Sequence, residues 1–243
     1  MNPISEVKNC DCLEVMRLMP SGFIDLAVCD FPYGIKQDGR QNHTRGGKTK
    51  FGGKFAAAGS FVPSKDYKQN GKYDNESPPI AVFNEVFRVS KNQIFFGANH
   101  FIGRMPYDSS CWIVLDKMNG PNDFADCELA WTSFDSAVRK FEFTWNGMIQ
   151  GNMKMKQERI HPTEKPYELY QWILRNYAKP GDKILDPMMG SQSSRIAAYK
   201  MGFDFWGYEK DESYFKEGCA RFEKSIAMPL FDAVEKPVQI QLF

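Results

Sequence analysis

Apolar positions along the chain fall in short blocks separated by turn residues. Phe23-Ile24-Asp25-Leu26-Ala27-Val28-Cys29-Asp30, entered through Pro20-Ser21-Gly22 and left at Phe31-Pro32-Tyr33-Gly34, predicts a buried strand ending in a loop. Gln93-Ile94-Phe95-Phe96-Gly97 and Trp112-Ile113-Val114-Leu115-Asp116 predict two further strands, and Phe141-Glu142-Phe143-Thr144-Trp145 a fourth. Helical spacing follows Pro78-Pro79, with Ile80, Phe83, Val86 and Phe87 on one face. Thr163-Glu164-Lys165-Pro166 reads as a helix start, with a capping hydroxyl, an early acid and a proline in the first turn. Leu169, Ile173 and Tyr177 continue that helix as an apolar stripe, and Pro180-Gly181 closes it.

The pattern is most explicit toward the C-terminus. Lys183 to Asp186 predicts a strand, Pro187-Met188-Met189-Gly190-Ser191 a tight turn, Ser193 to Met201 a helix ended by Gly202, and Phe203 to Glu209 another strand. Strand, loop, helix and strand in that order make a crossover unit, so the expected fold is α/β: a doubly wound, Rossmann-like, mostly parallel sheet. In such a unit the glycine lets backbone approach a ligand at the helix N-terminus, and an acid about 20 residues later accepts ribose hydroxyls. Glu209 follows Gly190 by 19 residues. The Gly-x-Gly-x-x-Gly string of dinucleotide folds is missing, so an adenosine-containing ligand is indicated without saying which.

Composition adds boundaries. The 243 residues suit one domain over about 1–230, followed by a tail at 231–243. Hydrophobic residues are 42% and charged residues 25%, and mean hydropathy is −0.48, an ordinary globular balance. No apolar run approaches the roughly 20 residues that span a bilayer, and the opening residues lack a signal-peptide pattern. Six scattered cysteines without a Cys-x-x-Cys pair point to a reduced, cytoplasmic setting and no metal site. Net charge is only +1, but nine basic residues stand against two acids between 36 and 72, leaving that stretch about +7. Rich in glycine and carrying Phe51, Phe55 and Phe61, it reads as a loop-rich basic insertion, about 36–75. Its lysines, Lys48, Lys50 and Lys54 among them, suit a nucleic-acid backbone; on charge alone it is equally a solvated insertion.

Three short strings bring chemistry into view: Asp30-Phe31-Pro32-Tyr33 after a strand, His161-Pro162-Thr163-Glu164-Lys165-Pro166 before a helix, and Asp186-Pro187-Met188-Met189-Gly190-Ser191 after another strand. Together they resemble the DNA amino-methyltransferases, the N-4/N-6 DNA methylase family. The order, with catalytic loop first and cofactor loop near the C-terminus, resembles its permuted beta group. The resemblance implies S-adenosylmethionine as cofactor, double-stranded DNA as partner, and methylation of an exocyclic amino group on a base swung out of the duplex.

It further implies that the Asp30 carboxylate and the Phe31 carbonyl accept the amino hydrogens, that Pro32 stiffens the loop, and that Tyr33 stacks on the base. Asp186, Pro187, Gly190 and Ser191 are then expected around the methionine part of the cofactor, with Glu209 at the ribose and Asp11 at the adenine ring. Thr163 and Lys165 are expected at the amino-acid end. Beginning the loop with Asp favours adenine; the alternatives are a cytosine-N4 enzyme and a catalytically silent DNA-binding module. Gln192 motivates the silent module, since it stands where the family's loop usually has glycine and a side chain at positive φ is strained. Phe31, Met188 and Cys10 also depart from the usual residues. Base readout is expected from about 117–160, and a restriction partner would fit the family. Gln239-Ile240-Gln241-Leu242-Phe243 resembles a sliding-clamp docking peptide.

Overall fold

The computed structural model describes residues 2–35, 74, 76–118, 125–146, 149–151, 160–161 and 163–227. Lys48, Lys50, Lys54, Pro162 and the Gln239–Phe243 tail lie outside them. Along the described chain run β1 (Ser5–Asn9), α1 (Cys12–Met16), β2 (Ile24–Cys29), α2 (Ile80–Val89), β3 (Ser90–Phe96), β4 (Trp112–Asp116), β5 (Cys127–Thr132) and β6 (Arg139–Glu142). After them come β7 (Trp145–Asn146), β8 (Ile149–Gln150), α3 (Tyr167–Tyr177), β9 (Lys183–Asp186), α4 (Ser193–Lys200), β10 (Asp204–Glu209) and α5 (Glu212–Ala227).

Eight strands form one sheet in the order β1-β10-β9-β2-β3-β5-β4-β6. β5 runs antiparallel to both its neighbours, and the remaining ladders are parallel. The chain steps from β9 to β10 in one direction and from β2 to β3 in the other. The crevice between β9 and β2 is therefore the place where strand order reverses, the usual ligand position in a doubly wound sheet.

Strand alternation divides the core between two faces. Ala27, Cys29 and Phe95 join Met16, Phe83, Val86 and Trp131 beneath α1 and α2. Leu26, Val28, Ile94 and Phe96 join Leu169, Ile173, Leu174, Ala197 and Phe205 beneath α3 and α4. Val82, Phe83, Val86 and Val89 form the buried stripe of α2. Arg88 of the same helix ties the two helices on that face together, donating to the carbonyls of Met16 (2.7 Å) and Met19 (2.9 Å) at the end of α1 while pairing with Glu85.

Three expectations change. The helix expected from Thr163 starts at Tyr167, and the Thr163 hydroxyl lies 3.2 Å from His161 Nδ1 and caps nothing. Lys165 precedes a proline, which disfavours helical backbone there, so the helix begins only after Pro166. The strand expected over 141–145 is split: β6 ends at Glu142, a last bond from Phe143 N reaches the Asp116 carbonyl (3.1 Å), and Trp145 enters a separate hairpin with β8. The strand expected from Gln93 begins three residues earlier, at Ser90.

Gln192 does sit in the left-handed region, at φ 61°. Its side chain is fully buried and turned toward α5: Oε1 accepts from Arg195 (2.8 Å), and Nε2 donates to the Phe215 carbonyl (3.3 Å). Gly218 makes room for it, because a Cβ there would stand 2.7 Å from Gln192 Cγ. Replacing Gly218 with Ala should therefore lower stability by about 1–3 kcal/mol, the usual cost of overpacking. Urea unfolding of the variant should show a reduced midpoint; an unchanged midpoint would mean that Gln192 is free to move aside.

Candidate active site

Parallel strands deliver their following residues to one edge of the sheet, and four acids gather there. Asp11 follows β1, Glu209 ends β10, Asp186 ends β9 and Asp30 follows β2, four adjacent strands in that order. Register staggers them in two-residue steps along that edge, since Asn9 is paired with Glu209, Gly207 with Asp186 and Ala27 with Leu185. Asp186 and Asp30 flank the crevice.

On the β2 side, Phe31 is buried and packs edge-on against Phe83 at 5.1 Å, which is what phenylalanine gains over proline at this position. Asp74, itself buried, accepts from Tyr33 N (2.7 Å) and Gly34 N (2.9 Å) and so pins the loop backbone. Lys165 is the centre of the polar network. Its ammonium, 5% exposed, lies 2.5 Å from Asp30 Oδ1, 3.2 Å from Glu128 Oε2 and 3.0 Å from the Tyr33 hydroxyl. Lys117 pairs with the other oxygen of Glu128 at 2.8 Å.

Burial raises the Asp30 pKa despite Lys165. It raises Glu128 too, but Lys165 and Lys117 outweigh it and bring that carboxyl down to about 2. For Lys165, the carboxylates outweigh burial and raise the ammonium. Among the described residues nothing donates to Asp30 Oδ2 or to the Phe31 carbonyl.

The family resemblance puts Lys165 beside the cofactor; the structure turns it to Asp30 instead. The Tyr33 ring stacks on His100 at 5.2 Å and rests on Gly97, where a Cβ would collide with it, and its hydroxyl is 3.0 Å from Glu128. Glu128, Asp74 and His100 carry no motif that marks them in the sequence.

On the β9 side, Asp186 accepts from Ser194 Oγ (2.5 Å) and Met188 N (3.2 Å), and burial pushes it up to about 7. Glu209 accepts from Gly190 N (3.0 Å) and Asp211 N (2.8 Å), and burial raises it as well. Pro187 lies in the turn after Asp186, and the hydroxyl of Ser191 is 3.1 Å from that of Ser193. His161 faces Gly190, packs on Tyr214 at 4.4 Å, and is held by burial at about 4, hence neutral. Asp11 caps α1 through Leu13 N (3.0 Å) and pairs with Lys210.

Residues 112–219 match the family described as DNA methylase, a stretch that holds Glu128, the His161–Pro166 string and the Asp186–Ser191 turn. Over that stretch the chain is similar to the DNA methylase family. The chain is 24% identical to the type II methyltransferase M.HinfI of Haemophilus influenzae over 84% of its own length, and spans 64% of that relative. Its fold is similar to the DNA modification methylase TTHA0409 of Thermus thermophilus complexed with S-adenosyl-L-methionine (TM-score 0.54, 18% identity, 94% and 98% of the two chains). It is also similar to the cytosine-N4-specific PvuII DNA methyltransferase (TM-score 0.54, 12% identity, 93% and 92%).

The buried Asp186 makes a pH prediction. Its folded pKa is raised from 3.8 to about 7, so the stability it contributes is full below about pH 4 and lost as pH rises through about 7. Thermal melts of wild type and Asp186→Asn across that window should converge at low pH. They should separate toward pH 7 by up to about 4 kcal/mol in favour of the variant. Parallel curves would mean that Asp186 is ionised throughout.

Proposed function

We propose that this protein methylates the exocyclic amino group of a base in DNA, adenine by preference, using S-adenosylmethionine. One observation carries the reading: at the switch point, Asp30 Oδ1 is held by Lys165 while Asp30 Oδ2 and the Phe31 carbonyl have no donor among the described residues. An adenine amino nitrogen is a poor nucleophile because its lone pair is delocalised into the ring. Two acceptors against its N–H bonds draw it toward tetrahedral geometry and localise that lone pair. Asp30 Oδ2 then takes the proton that the nitrogen loses when it gains a methyl group. Pro32 confines Phe31 to extended backbone and keeps its carbonyl aimed. For an extruded base to stack on Tyr33, the exposed His100 ring has to yield its place.

The donor set across the crevice fits the cofactor. Glu209, oriented by two backbone N–H groups, and Asp11 at the end of the adjacent strand are acceptors for the ribose and adenine groups. Asp186, Pro187, Gly190 and Ser191 bound the position of its amino-acid part, with Thr163 near His161 at the rim. When bound, S-adenosylmethionine supplies the activated methyl group. The silent-module alternative loses its motive, since the Gln192 side chain is accommodated against α5. Asp at the head of the loop favours adenine; the likeness to a cytosine-N4 enzyme makes methylcytosine the competing outcome. Basic residues from 36–75, Lys48, Lys50 and Lys54 included, would neutralise DNA phosphates, and 117–160 would reach base edges. A clamp-docking role for Gln239–Phe243 and a restriction partner belong to the same proposal.

Incubation with unmethylated DNA and cofactor, followed by digestion and mass spectrometry of nucleosides, should yield N6-methyladenine. Asp30→Ala should abolish it while calorimetric cofactor binding stays within a few-fold of wild type. Turnover by that variant within tenfold of wild type would overturn the assignment.

A further inference from the structure

The catalytic loop carries its own acceptor, yet β5 sends a second carboxylate to the same place. We propose that Glu128 is a positioning residue that acts through Lys165 and Tyr33 to keep Asp30 a strongly basic hydrogen-bond acceptor. The inference rests on the methyltransferase reading of the site.

Geometry assigns the bonds. Lys165 Nζ is within reach of Asp30 Oδ1, Glu128 Oε2 and the Tyr33 oxygen, and an ammonium can only donate, so Tyr33 accepts from it. The single Tyr33 proton then goes to one carboxylate. Glu128 Oε2, at 3.0 Å against 3.3 Å for Asp30 Oδ1, is the nearer. Glu128 thus removes a donor from Asp30 and shares the one cation that faces it among the described residues. An acceptor relieved of part of its compensation keeps more of its charge for the substrate's N–H bond. Lys117, at the end of β4, balances Glu128 from the other side, so the cluster holds two cations and two carboxylates.

Among the described residues, the remaining groups that face Asp30 are Asp186 from β9, Tyr170 from α3 and Cys29 from β2. None of them is cationic, so control of Asp30 passes through Lys165. Glu128 raises the proton affinity of Asp30 and Lys165 lowers it.

The test uses two variants of opposite sign. In Glu128→Gln, Lys165 belongs to Asp30 alone; in Lys117→Met, Glu128 competes harder for Lys165. Carbon-13 NMR of carboxyl-labelled aspartate in the full chain, with Asp30 assigned through Asp30→Asn, reads the midpoint directly and needs no activity. It should fall by about one pH unit in Glu128→Gln and rise by a similar amount in Lys117→Met. Single-turnover methylation by Glu128→Gln should fall about tenfold, with KM for DNA unchanged within twofold. A merely structural role would slow both variants without moving the midpoint in opposite directions. Midpoints that stay put, or move together, overturn the proposal. Should either variant fail to fold, the other's shift decides alone. Wild-type protein that methylates DNA while the midpoints stay put refutes only this inference; wild-type protein that leaves DNA unmethylated refutes the functional reading itself.

Discussion

A buried ammonium between two carboxylates holds the site together. Lys165 comes from the segment before α3, Asp30 from the loop after β2 and Glu128 from the antiparallel strand β5, so one cation joins three elements that have no ladder in common. Removing one member of such a group leaves an uncompensated buried charge and costs about 3–5 kcal/mol, far more than an exposed pair. The cluster is therefore a constraint on folding as well as on chemistry. β5 must enter the sheet in the register that pairs Leu115 with Glu128, or Lys165 has nowhere to go.

The neighbouring residue extends the same constraint to the β9 side of the crevice. Glu164 pairs with Arg221 of α5 at 2.8 Å, and Arg221 in turn donates to the Ser191 carbonyl (2.8 Å) and the Ser193 hydroxyl. Glu164 also accepts from Ile160 N. Consecutive residues thus reach opposite ways, one toward the turn after β9 and one toward the loop after β2. Extended backbone ahead of Pro166 produces that alternation, since successive side chains of an extended chain point to opposite sides. The His161–Pro166 string is a staple across the switch point.

This alternation also explains what sequence reading can and cannot reach. The four acids are visible because each stands where an apolar block ends, and strand ends are where a parallel sheet presents its chemistry. The crossover from Lys183 to Glu209 is legible for the same reason, its turn residues and period changes being local. Lys165, which the family resemblance sets at the amino-acid end of the cofactor, has its ammonium at Asp30, a partner in the loop after β2 that the local string does not reveal. Glu128 leaves no local mark: Cys127-Glu128-Leu129 resembles any short strand, and its importance comes from an antiparallel pairing that places it opposite Lys165. Gln192 is readable as a positive-φ position, but its compensation lies in Gly218 and Arg195, which no short motif connects to it.

Asp74 has a consequence for how such proteins diversify. The chain leaves the loop after β2 at Gly34 and is back beside it 40 residues later, with a carboxylate bonded to the very amides it left. The two ends of the basic stretch are thus joined through Asp74. Once the ends of a loop are fixed, its length enters the closure free energy only logarithmically, each doubling costing about 0.6 kcal/mol. Residues between 35 and 74 can therefore be lengthened, shortened or exchanged with little effect on the backbone that aims Asp30 and Phe31. A clasp of this kind separates what the protein grips from how it reacts, and lets the first evolve while the second stands still.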